Sequence, residues 1–411
     1  MADDLDAVII GGGVVGCATL FELTNNGYKC LLLDKNKDVL SEASSGNSGM
    51  LHTGFDAKLD SIELHCIKIC QEKVFPLLKN LDLPYKQIGA TMVAWTQQQK
   101  VKLDGVYKGS IEKGIDEIFQ LSASDVCQRE SHLHSGLVGG LWIPKETVLD
   151  PWLFPLSLLQ HSIDGIGMVK TGCEMFGFSH LNNSSCELQT SQGPITAKAV
   201  VNCSGLYGDL VDKMAGCQSF SIYPRKGQFT VYGKNTAHLI DSSILPTPTE
   251  KSKGVIVFKT VYGNIIVGPT AEETESRSVP PDIDSVITQR LFTHTKKTVP
   301  ELSQYLPMGH YTGLRPATQY KDYQIKAHRD RNWISVGGIR STGLSGCLGI
   351  ASMVKSELCT SLNIEPSYGP TTSMEPVEWS FKGNNSVQMN QNVYDFTHPI
   401  TKFGTQYRSA L

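Results

Sequence analysis

Apolar positions along this chain fall into short continuous runs that alternate with stretches of helical spacing. Residues 7–10 read as a buried strand, and Cys30–Leu33 reads as a second one. Between them, residues 14–26 carry apolar side chains at helical spacing (Val14, Val15, Ala18, Phe21), and Gly27 supplies the stop. The same pattern predicts a helix over 61–78, strand material over 85–95 with a turn at Gly89, and a partly helical segment over 100–114. A β-like run covers 137–144, and Asp150-Pro151 is a helix start, an N-cap followed by proline at the first helical position. Strands are expected over 195–202, 220–232, 254–259, 264–268 and 333–337, and helices over 280–299 and 345–362. The tail from Glu365 is rich in proline and asparagine, most polar over 384–392, and is expected to wrap the surface or be partly disordered.

The first strand runs into Gly11-x-Gly13-x-x-Gly16, and the second ends on Asp34, about 20 residues further on. Strand, glycine turn, helix, strand and acid together make a dinucleotide fingerprint. Gly11 permits the tight turn, Gly13 lets backbone N–H groups approach a pyrophosphate, and Gly16 lets the helix pack against the strand. The helix N-terminus carries partial positive charge. An acid at position 34 fits a ribose 2′-hydroxyl and argues against a 2′-phosphate. Similar strand-to-glycine-turn signals recur at 203–208 and 337–344. Nucleotide-type elements thus come from the start, middle and end of the chain, with β-rich segments between. A nicotinamide dehydrogenase usually keeps its dinucleotide domain contiguous, so this layout points to a large flavoprotein instead.

Composition narrows the class. The chain has 411 residues, 40% hydrophobic and 19% charged, with a formal net charge of −3. These values fit a soluble globular protein of one or two domains with no electrostatic footprint for nucleic acid. No apolar run approaches the ~18 residues of a spanning helix, so no integral membrane segment is expected. The acidic Met1–Asp6 start resembles no secretory or transit signal. The 11 cysteines fit no zinc or iron–sulfur spacing and read as reduced thiols. A cytoplasmic location follows, with the terminal Ser409-Ala410-Leu411 as a weak variant of the peroxisomal Ser-Lys-Leu address.

The fingerprint, Val200-Val-Asn-Cys-Ser-Gly-Leu-Tyr207, Gly313-Leu-Arg-Pro316 and Gly338-Ile-Arg-Ser-Thr-Gly-Leu344 resemble, in order, the FAD-dependent D-amino-acid-oxidase (DAO) superfamily. Three further stretches resemble its branch of anaerobic-type glycerol-3-phosphate dehydrogenases and L-2-hydroxyglutarate dehydrogenases: Gly46-Asn-Ser-Gly-Met-Leu-His52, Arg225-Lys-Gly-Gln228 and Gly268-Pro-Thr-Ala-Glu-Glu273. The resemblance implies an α/β fold, α+β overall. A Rossmann-like FAD-binding domain would be built from residues 1–80, 145–215 and 330–364. A mixed, largely antiparallel substrate-binding sheet would come from 81–144 and 216–329, leaving 365–411 as a tail. It implies FAD as cofactor and oxidation of the CH–OH carbon of a small anionic metabolite by hydride transfer to flavin N5. Electrons would pass on to a quinone, a carrier protein or oxygen. There are departures. Asp56 stands where aerobic glycerol-3-phosphate enzymes have a phosphate-binding arginine, and only Phe55 supplies the aromatic character that follows this histidine in L-2-hydroxyglutarate enzymes.

Within this frame the candidate catalytic residues are His52, as base, and Arg315, which can grip a carboxylate or phosphate with two parallel hydrogen bonds. Their alternatives are a histidine that packs against the flavin without titrating, and a structural salt bridge. Lys226 is a weaker candidate for the substrate anion. Cofactor contacts are expected from Gly11, Gly13, Val14, Val15, Gly16, Asp34, Lys35, Ser45, Asn47, Ser48 and Gly49. Ser204, Gly205, Gly338, Arg340, Ser341, Thr342, Gly343 and Leu344 complete the set. Cys347 is either a packing thiol, the preferred reading, or a flavin tether. No metal site is expected. The competing classes are an FAD-dependent amine or amino-acid oxidase acting on a C–N bond, a non-catalytic flavin-binding partner protein, and a nicotinamide-only dehydrogenase.

Overall fold

The computed structural model describes residues 5–182, 185–248, 254–279, 284–371 and 376–406. The terminal Ser409-Ala410-Leu411 lies outside them. Strand β1 (Leu5–Ile10) is buried along its whole length and leads through the glycine turn into helix α1 (Val14–Asn25). It pairs in parallel with β2 (Cys30–Leu33) on one side and with β3 (Ile195–Asn202) on the other. The C-terminal half of β3 pairs in parallel with Trp333–Gly337, and Met168–Lys170 pairs in parallel with β2. A hairpin of Met175–Asn182 and Ser185–Thr190 and the strand Gln324–His328 complete eight strands by antiparallel pairing.

Parallel strands buried on both faces need apolar side chains in both directions, which is why they read as continuous runs. Ala7 and Ile9 face a core shared with α1, helix α2 (Ile62–Asn80), Leu153–Asp164 and helix α3 (Gly343–Thr360). Val8 and Ile10, on the other face, pack with Leu188, Val211 and Trp333.

The second sheet has nine strands, antiparallel apart from one parallel pair between Ser243–Pro246 and Ala90–Ala94. Its longest pairing joins β4 (Ile222–Val231) to β5 (Gly309–Thr318), in register from Ile222 opposite Thr318 to Val231 opposite Gly309. β5 carries the Gly-Leu-Arg-Pro motif. The loop after β2 meets β5 backbone to backbone: a Cβ on Gly313 would lie 2.2 Å from the Gly46 carbonyl oxygen, and one on Gly46 would lie 2.2 Å from Gly313 Cα. A small third sheet pairs Met50–Leu51 with Thr147–Leu149. Among the described residues no helix is long and apolar enough to cross a membrane.

Two local expectations need correction. The helix expected to start on Asp150-Pro151 begins at Leu153, although Asp150 Oδ1 still caps it by accepting from the Trp152 and Leu153 N–H groups at 2.9 and 2.7 Å. The tail is folded where it is described. Trp379–Lys382, Ser386–Met389 and Asn392–Asp395 form an antiparallel meander, and Val387 and Met389 enter the main core fully buried. Its apolar residues alternate with polar ones, so mean polarity hid a period-two strand. The final helix, Pro399–Thr405, is tied to the body by Asp150, whose carboxylate accepts from Thr401 at 2.9 Å and from Tyr262 at 2.6 Å.

Met389→Ala is expected to cost ~2–5 kcal/mol by the cavity it leaves in the main core. Val393→Ala, 62% exposed on the same meander, should stay within about 0.5 kcal/mol of wild type. Equilibrium urea unfolding of both variants measures the difference.

Candidate functional site

A cavity of about 1120 Å³ lies between the sheets. It exceeds the ~300–1,000 Å³ of a typical small-ligand pocket. The glycine turn forms one end. Gly11 has φ +105°, and a Cβ there would meet the Cys203 carbonyl oxygen at 2.6 Å, so the turns at Gly11 and Cys203 pack directly together. Gly16 does not line the cavity; a Cβ on it would lie 1.8 Å from the Gly11 oxygen, which identifies its task as close packing. Gly13, Val14 and Val15 line the cavity at the α1 N-terminus, which has no side-chain cap of its own. The Val14 N–H donates to Ser44 Oγ at 3.0 Å. Asp34 also lines the cavity while bracing the turn: its carboxylate accepts from the Gly12 N–H at 2.7 Å and the Asn36 N–H at 2.8 Å, and burial raises its pKa. Lys35 sits 3.5 Å over the Tyr207 ring and pairs with Glu42 at 3.4 Å.

The loop after Asp34 differs from expectation at two positions, Ser45 and Gly49. Ser44 lines the cavity, whereas Ser45 turns away and donates to the Glu42 carbonyl at 2.9 Å. Glu42–Gly46 is a 3₁₀ turn, in which adjacent residues face different directions. Asn47 and Ser48 line the cavity, and Asn47 holds the loop by accepting from the Gly49 N–H at 2.8 Å. Gly49, with φ +68°, is set against the Leu149 carbonyl and does not line it.

Ser204 and Gly205 line the cavity from the second turn. From the third come Arg340, Ser341, Gly343 and Leu344, at the N-terminus of α3, which again has no side-chain cap. Arg340 donates through Nη2 to Glu63 of α2, and its Nε is buried without a hydrogen-bond partner among the described residues. Gly338 and Thr342 do not line the cavity. Gly338, at φ +66°, packs near Thr318, and Thr342 Oγ1 donates to Glu63 at 2.6 Å. Cys347 is fully buried in the main core and does not line the cavity, as a packing thiol would be.

His52 and Arg315 both face this space. His52 Nδ1 lies 2.8 Å from Glu146 Oε2, and Glu146 Oε1 accepts from the Thr53 N–H at 2.7 Å and Thr53 Oγ1 at 2.9 Å. The small third sheet explains the pairing: Leu51 stands opposite Thr147, which sets the next residue along beside Glu146. No motif marked Glu146 in the sequence. Arg315 Nη2 donates to the Thr270 carbonyl at 3.2 Å. Burial, with the nearby charge of Arg225, lowers its pKa to about 10.

Lys226 is a correction. It pairs with Glu272 at 3.1 Å and does not line the cavity; Arg225 does. Side chains alternate along a strand, and Arg225 is the residue directly opposite Arg315. The pairing register was the missing information.

The segment from Pro269 to Val279 straps the second sheet to the first. Arg277 grips Asp209 with two hydrogen bonds, at 2.6 and 2.9 Å, and also donates to the Leu206 carbonyl. Burial opposes the Asp209 charge, but the Arg277 bonds and the Ile222 N–H outweigh it and hold the carboxyl below its usual range.

These donors fit a dinucleotide. Two helix N-termini whose N-cap residues make no side-chain cap and whose first turns carry no acid, three glycine-rich turns and a buried guanidinium nitrogen without a partner among the described residues converge on one space. Among the described residues no group of three or more His, Cys, Asp or Glu side chains could hold a metal ion.

Comparison with known proteins agrees with this geometry. The family model DAO, "FAD dependent oxidoreductase", matches residues 6–356. A glycerol 3-phosphate dehydrogenase of Caloramator mitchellensis is 27% identical over 359 residues, which is 85% of this chain and 72% of that protein. The mitochondrial L-2-hydroxyglutarate dehydrogenase of Caenorhabditis elegans is 26% identical over 279 residues, 65% of this chain and 63% of its own. The solved structure of L-α-glycerophosphate oxidase from Mycoplasma pneumoniae, with FAD bound, superposes with a TM-score of 0.84 at 26% identity, covering 92% of this chain and all of that one.

The strap supplies a pH-dependent test. Asp209→Asn should cost about 3 kcal/mol at pH 7, the low end for a broken buried pair because Arg277 keeps some access to water. The folded-state pKa of Asp209 is depressed. Its contribution is therefore present above the unfolded value of ~3.9 and lost as pH falls through the folded value. Denaturation at pH 7 and near pH 3 should show the gap between wild type and variant closing at the acid end.

Proposed function

The chain belongs to the family of FAD-dependent oxidoreductases, and within it we propose that it oxidises the CH–OH carbon of a small anionic hydroxy compound, of the glycerol-3-phosphate or 2-hydroxy-acid type. Both the dehydrogenase and the hydroxyglutarate relatives carry names of this class. In this reading the first sheet and its three glycine turns hold FAD, and the second sheet forms the substrate side.

The observation that carries the reading is a base and a cation facing the same cavity. Arg315 sits where its guanidinium has a carbonyl partner in Thr270 and Arg225 alongside, with no carboxylate paired to it among the described residues. Arg225 is paired with Glu273 at 3.6 Å, so the guanidinium that lacks a carboxylate partner among the described residues is that of Arg315, and it can hold a substrate anion by two parallel hydrogen bonds. His52 receives the hydroxyl proton. Bound FAD supplies the two-electron acceptor for the hydride that leaves the same carbon. The α3 N-terminus, with Ser341, Gly343 and Leu344 on the cavity, carries partial positive charge that would suit the negative charge of a reduced flavin held there.

The test is an anaerobic titration of the purified yellow holoenzyme, followed at the flavin band near ~450 nm. Sn-glycerol 3-phosphate, L-2-hydroxyglutarate, L-lactate and several amino acids are added in turn. Bleaching by a hydroxy compound is expected; bleaching by amines alone overturns the reading. Arg315→Lys should raise KM ~10–100-fold at unchanged flavin content, because a charged hydrogen bond contributes about 1.5–3 kcal/mol and lysine lacks the two-pronged geometry.

A further inference from the structure

We propose that Glu146 is a positioning residue that selects the tautomer of His52, and so makes Nε2 the proton-accepting atom. The inference rests on the reading of His52 as the base. Glu146 is 1% exposed, and a carboxylate so buried is stable only when its oxygens are hydrogen-bonded. Oε1 is taken by the Thr53 N–H and hydroxyl. Oε2, at 2.8 Å, faces His52 Nδ1. An ionised carboxylate only accepts hydrogen bonds, so Nδ1 is the protonated ring nitrogen and Nε2 carries the lone pair.

The histidine backbone is held as firmly. Its N–H donates to Ser345 Oγ of α3 at 2.9 Å, and its carbonyl accepts from Gln71 Nε2 of α2 at 2.9 Å. The ring is therefore anchored through Nδ1 on Glu146. When the substrate hydroxyl gives its proton to Nε2, Nδ1 keeps its own, and the imidazolium formed is stabilised by the Glu146 charge beside it.

Glu146→Gln separates this role from simple packing. Thr53 is a double donor to the Oε1 position, so it draws the amide oxygen there and leaves the NH₂ group facing Nδ1. That group can only donate, and it drives the imidazole into the Nε2–H tautomer. The limiting rate of anaerobic flavin reduction by sn-glycerol 3-phosphate or L-2-hydroxyglutarate, whichever bleaches the wild type, should fall ~10²–10⁴-fold. KM should change little, and the acid limb of the pH–rate profile should move to lower pH as the imidazolium loses its counter-charge. Glu146→Asp keeps the charge and should restore part of the rate. Asp56, Lys113, Arg225, Arg315 and the Arg340–Glu63 pair, the other charges around this end of the cavity, are untouched in both variants.

A measurement independent of turnover decides the matter even if the variants fold poorly. ¹⁵N NMR of histidine-labelled holoenzyme, with the His52 signals assigned through His52→Gln, reports the tautomer directly. The wild type should show Nδ1–H at neutral pH. A wild-type Nε2–H tautomer, or a Glu146→Gln enzyme with the wild-type rate and pH profile, overturns the proposal. A wild type that no hydroxy compound reduces would overturn the functional reading instead, and the NMR result would still stand on its own.

Discussion

The contact between Gly46 and Gly313 sets the geometry of this molecule. One glycine belongs to the loop that follows the dinucleotide fingerprint, and the other to β5, which pairs with β4 at the edge of the second sheet. With a Cβ of either residue only 2.2 Å from the opposing backbone, nothing larger than hydrogen fits between them. The loop and β5 therefore approach as closely as polypeptide allows at this point, beside the cavity that both of them line. Asn47, Ser48 and His52 stand on one side of that point, and Arg315 stands two residues along the facing strand. A looser contact would move the loop of His52 away from the strand of Arg315 by about the width of a side chain.

Charge around the cavity follows a consistent division. Asp34, Glu63 and Glu146 are each engaged by donors from the protein: the Gly12 and Asn36 amides, Arg340 with Thr342, and Thr53 with His52. The acids thus stiffen the walls. The guanidinium groups of Arg225 and Arg315 and the two helix N-termini face the space itself. The positive ends of two helices suit an anionic group such as the pyrophosphate of FAD.

Much of this was legible in the sequence because it is local. The fingerprint turn, the alternating strand and helix around it, and the Gly-Leu-Arg-Pro motif each carry their signal within a few residues. What escaped depends on pairing between distant segments. Lys226 and Arg225 are equivalent in the sequence; only the register of β4 against β5 decides which shares a face with Arg315. Glu146 sits in an unremarkable Pro-Lys-Glu-Thr run and becomes part of the site through the strand pair Met50–Leu51 and Thr147–Leu149. Ser44 replaced Ser45 because a 3₁₀ turn rotates faster than the eye assumes. The tail misled through its average polarity, since Val387 and Met389 enter the core while Trp379, Phe381, Tyr394 and Phe396 pack against it among polar neighbours.

Asp150 has a consequence for how such a chain is made. Its one carboxylate joins the start of an interior helix, Tyr262 of the second sheet and Thr401 near the end of the chain. The parallel sheet likewise waits for Trp333–Gly337, and α3 for the residues after it. The cavity is lined from the turns at Gly13, Ser204 and Gly343, so a site that holds the cofactor exists only once these distant segments have folded against one another, and the fingerprint alone is a motif without a pocket.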